Sequence, residues 1–127
     1  MNKIMMIVML VVVVAISAGC NQVVTSQGGI SMTTEEALSL WQAQKAVIID
    51  VRTLKEYQEG HIPDAVLIPL NQLETRLDEI PKDQTVLLIC RSGRRSAQGT
   101  NLLRSKGFEQ VVNIEGGMLA WRGPVVK

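Results

Sequence analysis

The sequence predicts an α/β sandwich built around a mainly parallel sheet. Short apolar runs rich in β-branched residues, such as "AVIIDV", "TVLLIC" and "VVNI", are typical of strands buried on both faces of a parallel sheet. Segments with helix-capping signals separate these runs, and this alternation favours an α/β arrangement. The 127 residues leave room for one domain of about 100 residues, placed at residues 30–127, and a short extra segment.

The first half of this domain is predicted to contain two helices and two strands. Thr33, with Glu36 three residues later, forms a capping-box pattern that begins the first helix. Gly60 is expected to end the second helix, and Pro69 suits the end of a strand. In order, the predicted elements are a helix over residues 33–43, a strand over 46–51, a helix over 54–59 and a strand over 66–70.

The second half continues the alternation. Asn71 with Glu74 predicts another capped helix, and Gly107 is expected to cap the C-terminus of the helix that precedes it. In order, the predicted elements are a helix over residues 71–80, a strand over 85–90, a helix over 96–106 and a strand over 111–114.

Residues 1–19 have the composition of a signal peptide. Lys3 supplies a positive charge, residues 4–16 carry none, and the small residues of "SAGC" lead to Cys20. The motif resembles a bacterial lipobox, so we expect Cys20 to be lipidated and residues 20–29 to form a polar tether. This predicts a protein exported to the bacterial cell envelope, periplasmic or on the outer surface, and attached to the membrane by lipid. A plain secretory signal and an uncleaved anchor are the alternatives.

Charge and cysteine content narrow the functional classes. Lysine and arginine total 13 against 12 aspartate and glutamate residues, a balance that provides no general basic face for nucleic acid. If Cys20 carries lipid, Cys90 is the one remaining thiol and has no intramolecular disulfide partner. Two cysteines and one histidine argue against a structural zinc site, and we expect neither a metal nor a cofactor.

The stretch "ICRSGRRSA", residues 89–97, places Cys90 at the carboxyl end of a predicted strand and one turn before a helix. Ligands bind at this edge of open α/β sheets. The N–H groups of the turn, the helix dipole and the side chains of Arg91, Arg94 and Arg95 favour an anion there. We therefore expect the pKa of Cys90 to lie below the ordinary value of ~8.5. The alternative is a buried core cysteine followed by solvated arginines.

Three stretches together resemble single-domain rhodaneses, a family of sulfurtransferases. "DVRTLKEYQEGHIPDA" at residues 50–65 resembles the first signature of the family, "CRSGRRS" at 90–96 its active-site loop, and "GGMLAW" at 116–121 its C-terminal signature. Asp64 stands where the family usually has glycine. The resemblance covers nearly everything after the tether and implies a rhodanese-like three-layer sandwich.

The same resemblance implies a chemistry. The backbone amides of residues 90–95 would converge on the sulfur of Cys90 and hold a persulfide. Cys90 would attack a small anionic sulfur donor such as thiosulfate, keep the outer sulfur and pass it to a thiol or cyanide acceptor. Arg91 and Arg95 are expected to bind the donor, with Arg94 more exposed. The expected catalytic residue is Cys90, and the expected substrate-binding residues are Arg91, Ser92, Gly93, Arg94, Arg95, Asp50 and Arg52.

Several residues near these motifs also have structural interpretations. Asp50 and Arg52 either shape the edge of the pocket or form an ion pair that fixes the turn after the strand. His61 is the only histidine and is expected to stabilise its turn. Gly116 and Gly117 are expected to permit a close backbone approach near the site.

Two other functions remain open from the sequence. A cysteine phosphatase or arsenate reductase needs Cys-x5-Arg so that the arginine can hold a tetrahedral oxyanion, but Ser96 is the sixth residue after Cys90 and Arg95 comes one place too early. A sulfur-carrier or redox-sensing module without turnover needs the same thiolate cradle as an enzyme. Turnover on small donors would distinguish a carrier from a catalyst.

Overall fold

The computed structural model describes the backbone of residues 24–26 and 29–127. The strands in these ranges are β1 (Val24–Ser26), β2 (Gly29–Met32), β3 (Ala46–Asp50), β4 (Val66–Leu67), β5 (Thr85–Ile89) and β6 (Val111–Ile114). The α-helices are α1 (Thr34–Gln42), α2 (Leu54–Glu59), α3 (Arg94–Ser105) and α4 (Gly117–Ala120). Two 3₁₀ segments, Leu70–Thr75 and Leu77–Glu79, connect β4 to β5.

The strands form one sheet in the order β1-β2-β6-β5-β3-β4. β1 pairs antiparallel with β2, and every other pair in the sheet is parallel. β5 lies between β3 and β6, so that Leu87 is paired with Ile48 on one side and Val112 on the other. The predicted mainly parallel sheet is therefore confirmed. β5 is an interior strand, and the chain leaves the sheet at the carboxyl end of this strand.

Each face of the sheet is covered by an apolar layer. Val86 and Leu88 of β5 pack into the layer that contains Leu103 of α3, whereas Leu87 and Ile89 pack into the layer on the opposite face. That second layer includes Ala37 of α1 and Met118 of α4. Because both faces are covered, a continuous apolar run suits β5 better than an alternating one. The predicted three-layer sandwich is confirmed.

The helix predicted over residues 71–80 is wrong. The chain forms the two 3₁₀ segments there, and no side chain caps the first of them, which begins after Pro69. Arg76 separates the segments with a φ of −126°. Each segment closes with an i→i+3 bond, from the Arg76 N–H to the Leu73 carbonyl and from the Ile80 N–H to the Leu77 carbonyl. Leu73 is buried and Leu70 and Leu77 pack against the same core layer, so the two segments bury the apolar side of the predicted helix but use i→i+3 bonds instead of a continuous i→i+4 ladder.

The other helix boundaries lie close to the prediction. The hydroxyl of Thr33 accepts from the Glu36 N–H at 3.2 Å and begins α1, as predicted. A complete capping box between Thr53 and Glu56 begins α2. α3 begins at Arg94, two residues before the predicted start, and Gly107 follows its end with a φ of 93°.

Part of the predicted tether belongs to the sheet. Val24–Ser26, which was expected to be a polar linker, forms β1 and covers the outer edge of β2, where backbone N–H and C=O groups would otherwise lack strand partners. The predicted signal peptide, Cys20 and the rest of the tether lie outside the described residues. Within the described ranges, no helix combines the length and apolar character needed to cross a membrane.

Candidate active site

Cys90 follows the last residue of β5 and is fully buried. Its sulfur accepts hydrogen bonds from the backbone N–H of Gly93 at 3.1 Å and from the hydroxyl of Ser96 at 3.3 Å. Ser96 lies in the first turn of α3 and is itself buried. This contact of Ser96 was not predicted from the sequence. Its position could have indicated the contact, because Ser96 is the sixth residue after a cysteine at a strand end and therefore falls in the first turn of the following helix.

These hydrogen bonds determine the acidity of the thiol. Burial by itself raises the pKa of Cys90, but hydrogen bonds from the Ser96 hydroxyl and from the backbone N–H groups of Ser96, Gly93 and Ser92 more than offset it and lower the pKa. The direction is the one expected from the sequence. Its main sources, however, are preorganised hydrogen-bond donors rather than the neighbouring arginines.

The loop keeps its shape because the C-terminal "GGMLAW" segment packs against its backbone. The N–H groups of Met118 and Leu119 donate to the carbonyl oxygens of Cys90 and Arg91 at 2.9 and 3.0 Å. Gly117 has a φ of 55°, and a Cβ there would overlap the Cys90 carbonyl oxygen and lie 2.6 Å from that of Arg91. The close backbone approach expected near the site is therefore present at Gly117.

Gly93 turns the loop back toward the helix. It adopts a left-handed conformation with a φ of 97°, and this conformation directs its N–H to the sulfur. A Cβ at this position would lie 3.0 Å from the backbone nitrogen of Gly116. Both the backbone angle and the packing therefore favour glycine here.

The three loop arginines occupy different environments. Arg91 and Arg94 are exposed. Arg95 is partly buried and forms a bidentate ion pair with Glu56 of α2, with N–O distances of 2.7 and 2.8 Å. Glu56 was not among the site residues predicted from the sequence. Donor binding by Arg95 stays a prediction, and its charge is already paired in this structure.

Glu56 is strongly acidic as a consequence of this pairing. Hydrogen bonding to Arg95 is the largest influence on its pKa; burial opposes it, and the Thr53 capping contacts and the charge of Arg95 add to it. The pKa falls to about 2. Glu56 therefore stays ionised at physiological pH and ties α2 to the first turn of α3.

Asp50 and Arg52 form a buried ion pair at the end of β3. The Arg52 Nε and Nη2 atoms donate to the Asp50 carboxylate at 3.0 and 2.8 Å, and Nη2 also donates to the Gly60 carbonyl oxygen at 2.7 Å. The Arg52 backbone N–H donates to the same carboxylate at 3.0 Å. The pair thus fixes the turn between β3 and α2, which is the structural interpretation considered from the sequence. Arg52 also lines both clefts described below.

His61 has the structural role expected from the sequence. Its ring stacks on that of Tyr57 with centroids 3.7 Å apart, and its Nδ1 lies 2.8 Å from the Tyr57 carbonyl oxygen, so Nδ1 carries the proton. The backbone groups of His61 pair with those of Val126. Asp64, which replaces the usual glycine, has a φ of 64° and so keeps the left-handed turn that glycine favours.

Two clefts border the loop. The first has a volume of about 400 Å³ and a mainly apolar lining that includes Val51, Leu70 and Arg95. The second, which we call the rim cleft, has a volume of about 240 Å³ and is lined chiefly by Arg52, Glu56, Glu59, Arg91, Met118 and Leu119. A larger cavity of about 530 Å³ lies by the amino ends of β3 and β5, at the opposite edge of the sheet from Cys90.

Comparison with known proteins agrees with this geometry. Residues 33–124 match the family model described as the Rhodanese-like domain. A protein of Allochromatium vinosum named Sulfurtransferase is 41% identical over 88 residues, which cover 68% of this chain and 82% of that protein.

Solved structures share the fold. The rhodanese-like domain protein of Staphylococcus aureus superposes with a TM-score of 0.67 at 38% identity, covering 72% of this chain and 89% of that one. The human single-domain sulfurtransferase TSTD1 superposes with a TM-score of 0.68 at 28% identity, covering 72% of this chain and 93% of that one.

Proposed function

The chain belongs to the rhodanese-like domain family, and on that premise we propose that it is a sulfurtransferase that carries a sulfane sulfur as a persulfide on Cys90. The observation that carries the proposal is the pair of donors, the Gly93 N–H and the Ser96 hydroxyl, directed at the Cys90 sulfur at the carboxyl end of β5. Relatives named as sulfurtransferases support the same class of activity.

In the loading step, the Cys90 thiolate attacks the sulfane sulfur of thiosulfate. A new sulfur–sulfur bond forms at Cys90, the bond between the two thiosulfate sulfurs breaks, and sulfite leaves with the electron pair. The lowered pKa of Cys90 increases the fraction of nucleophilic thiolate before the attack. The exposed cation Arg91 is placed to attract the dianion.

In the transfer step, an acceptor attacks the outer sulfur of the persulfide. Cyanide leaves as thiocyanate, or a thiolate leaves as a persulfide of its own, and the electron pair of the broken bond returns to the Cys90 sulfur. That sulfur is negative both before loading and after transfer. The hydrogen-bond donors around the Cys90 sulfur are already in place and stabilise this negative charge without any rearrangement of the loop. Oxyanion holes stabilise charge in the same way.

The test follows the sulfur on the intact chain, purified in a mild detergent because of its apolar N-terminal segment. Incubation with thiosulfate should add the mass of one sulfur atom, and cyanide should remove it as thiocyanate. Cys90→Ser should lose both steps and keep the fold. Repeated turnover supports an enzyme, whereas loading and release without turnover would indicate a carrier and overturn the catalytic part of the proposal.

A phosphatase would give a different result. The residue six places after Cys90 is Ser96, whose hydroxyl contacts the sulfur, and the guanidinium of Arg95 is held by Glu56. Cys90-dependent hydrolysis of an aryl phosphate by a protein that no sulfane donor modifies would replace the sulfurtransferase proposal.

We also propose that the protein acts at the bacterial cell envelope, anchored by lipid on Cys20. The support is the sequence "SAGC" after an uncharged apolar run. An envelope location would present the Cys90 site to sulfur compounds of an exported compartment. The Cys20→Ala experiment in the Discussion tests it.

A further inference from the structure

The rim cleft contains four charged side chains, and two of them are already paired. Arg52 binds the Asp50 carboxylate, and Glu56 binds Arg95. These two ion pairs are part of the scaffold, because they fix the turn after β3 and join α2 to α3. Arg52 and Glu56 therefore contribute little net charge toward a ligand.

The other two charges of the cleft are uncommitted and opposite in sign. Arg91, in the Cys90 loop, and Glu59, at the end of α2, are both exposed, and neither has an ion-pair partner among the described residues. Met118 and Leu119 add apolar surface to the same cleft, and Leu119 is 65% exposed. The cleft thus combines one free cation, one free carboxylate and an apolar wall.

The rim cleft is also continuous with the reactive loop. Arg91 is the residue after Cys90, and the N–H groups of Met118 and Leu119 donate to the carbonyl oxygens of Cys90 and Arg91. A ligand held in the cleft therefore contacts the residue next to Cys90 and the segment that packs on the Cys90 backbone. At about 240 Å³ the cleft is smaller than the ~300–1,000 Å³ of typical drug-sized sites, which favours a small ligand.

We propose that the rim cleft binds a small zwitterionic aminothiol, of which free cysteine is the simplest, as the sulfur acceptor. The α-carboxylate of the ligand pairs with the Arg91 guanidinium, whose planar fork matches a carboxylate. The α-ammonium pairs with Glu59, and the aliphatic part lies against Met118 and Leu119. This inference rests on the proposed sulfurtransferase function and names its acceptor class.

The charge balance is what selects this class. A purely anionic acceptor would gain at Arg91 but would face the carboxylate of Glu59, and a purely cationic one would gain at Glu59 but face Arg91. A ligand with both charges satisfies both residues. In the transfer, its thiolate attacks the outer sulfur of the Cys90 persulfide, the bond to Cys90 breaks, and the products are the Cys90 thiolate and the persulfide of the aminothiol.

The experiment measures transfer from persulfide that has already been loaded, so that effects on donor binding are bypassed. The full chain is loaded with thiosulfate, freed of excess donor and mixed with a thiol in single-turnover reactions. The acceptors are cysteine (both charges), cysteamine (ammonium only), 3-mercaptopropionate (carboxylate only) and 2-mercaptoethanol (neither). Each variant is compared with the unmodified protein on the same thiol, so the intrinsic reactivity of that thiol cancels.

Glu59→Gln should weaken the apparent affinity for cysteine and cysteamine by up to about fivefold, the upper end expected for one exposed charge pair, and leave the other two thiols unchanged. Arg91→Gln should have the same effect on cysteine and 3-mercaptopropionate only. Glu109→Gln and Arg122→Gln remove exposed charges of the same types that do not line the cleft, and should change none of the four.

Different results would refute the sulfurtransferase function and the aminothiol acceptor. Absence of persulfide on the unmodified protein would refute the proposed function itself. Normal loading, with all four thiols affected equally by Glu59→Gln or with none affected, would overturn the aminothiol proposal alone. Should Arg91→Gln load too poorly to be measured, the Glu59→Gln result decides, because Glu59 is exposed and lies outside the Cys90 loop.

Discussion

Replacing Ser96 by alanine removes the one side-chain donor to the Cys90 sulfur in the part of the chain that the structure describes. The hydroxyl lies 3.3 Å from the sulfur, and both residues are fully buried. A hydrogen bond to a charged group contributes about 1.5–3 kcal/mol. At about 1.4 kcal/mol per pH unit, its loss should raise the pKa of Cys90 by about 1 to 2 pH units.

The consequence is a smaller fraction of thiolate at neutral pH. Where the thiol is mostly protonated, the rate of persulfide loading from thiosulfate should fall about tenfold or more, because only the thiolate attacks. At a pH above the new pKa, the loading rate of Ser96→Ala should approach that of the unmodified protein. This recovery distinguishes an electrostatic role of Ser96 from a distortion of the loop, which would lower the rate at every pH.

The assay is the pH dependence of Cys90 alkylation by iodoacetamide, measured beside the loading rate. The same measurement on Cys90→Ser subtracts any reaction at Cys20. Ser92→Ala is the matched control, because Ser92 is exposed and acts on the sulfur through its backbone N–H. A Ser96→Ala midpoint equal to that of the unmodified protein would refute the assignment of the lowered pKa to this hydroxyl.

Four further predictions concern other parts of the chain. Gly117→Ala should abolish loading and destabilise the domain by several kcal/mol, since a Cβ would lie 2.6 Å from the Arg91 carbonyl oxygen; activity with an unchanged melting curve would contradict the packing. Glu56→Gln should cost about 1 kcal/mol at pH 7 for a partly exposed pair. The pKa of Glu56 is lowered from 4.5 to about 2, so the stabilisation that the ion pair gives to the folded state is fully present above pH 4.5 and is lost as the pH falls toward 2. The free energies of unfolding of Glu56→Gln and of the unmodified protein should therefore converge near pH 2. A difference that stays constant with pH would exclude the ion pair as the cause. Arg91→Glu should raise the KM for thiosulfate about three- to tenfold. Added salt should also raise this KM in the unmodified protein, because the screening length is ~8 Å at physiological ionic strength. Arg94 lines neither cleft, so an equal effect of Arg94→Glu would show that only the overall charge matters. Cys20→Ala should abolish lipid labelling and leave unprocessed precursor, whereas an intact Met1 on the mature protein in its native host would rule out the anchor.

The architecture followed from local patterns because each pattern reflects a local physical need. The apolar run of β5 requires burial on both faces, and a parallel sheet covered by helices provides it. The hydroxyl of Thr33 accepts a hydrogen bond from the Glu36 N–H in the first turn of its own helix, so residues close together in the sequence were enough to predict where this helix begins. The helix predicted over residues 71–80 failed for the complementary reason. A capping signal was present at Asn71, but the first 3₁₀ segment begins after Pro69 and no described side chain caps it, so the local signal is not used in the folded chain.

The candidate nucleophile could also be located from sequence, because a cysteine at a strand end before a glycine-containing basic turn is a local feature. What its neighbours do was decided by residues distant in the chain. Arg95 is paired with Glu56, 39 positions away, and the backbone of Cys90 is held by Met118. Counting arginines near the thiol therefore overestimated the free positive charge of the site. Ion pairs and buried hydrogen bonds depend on which groups the folded sheet brings within about 3 Å, and sequence spacing does not contain that distance.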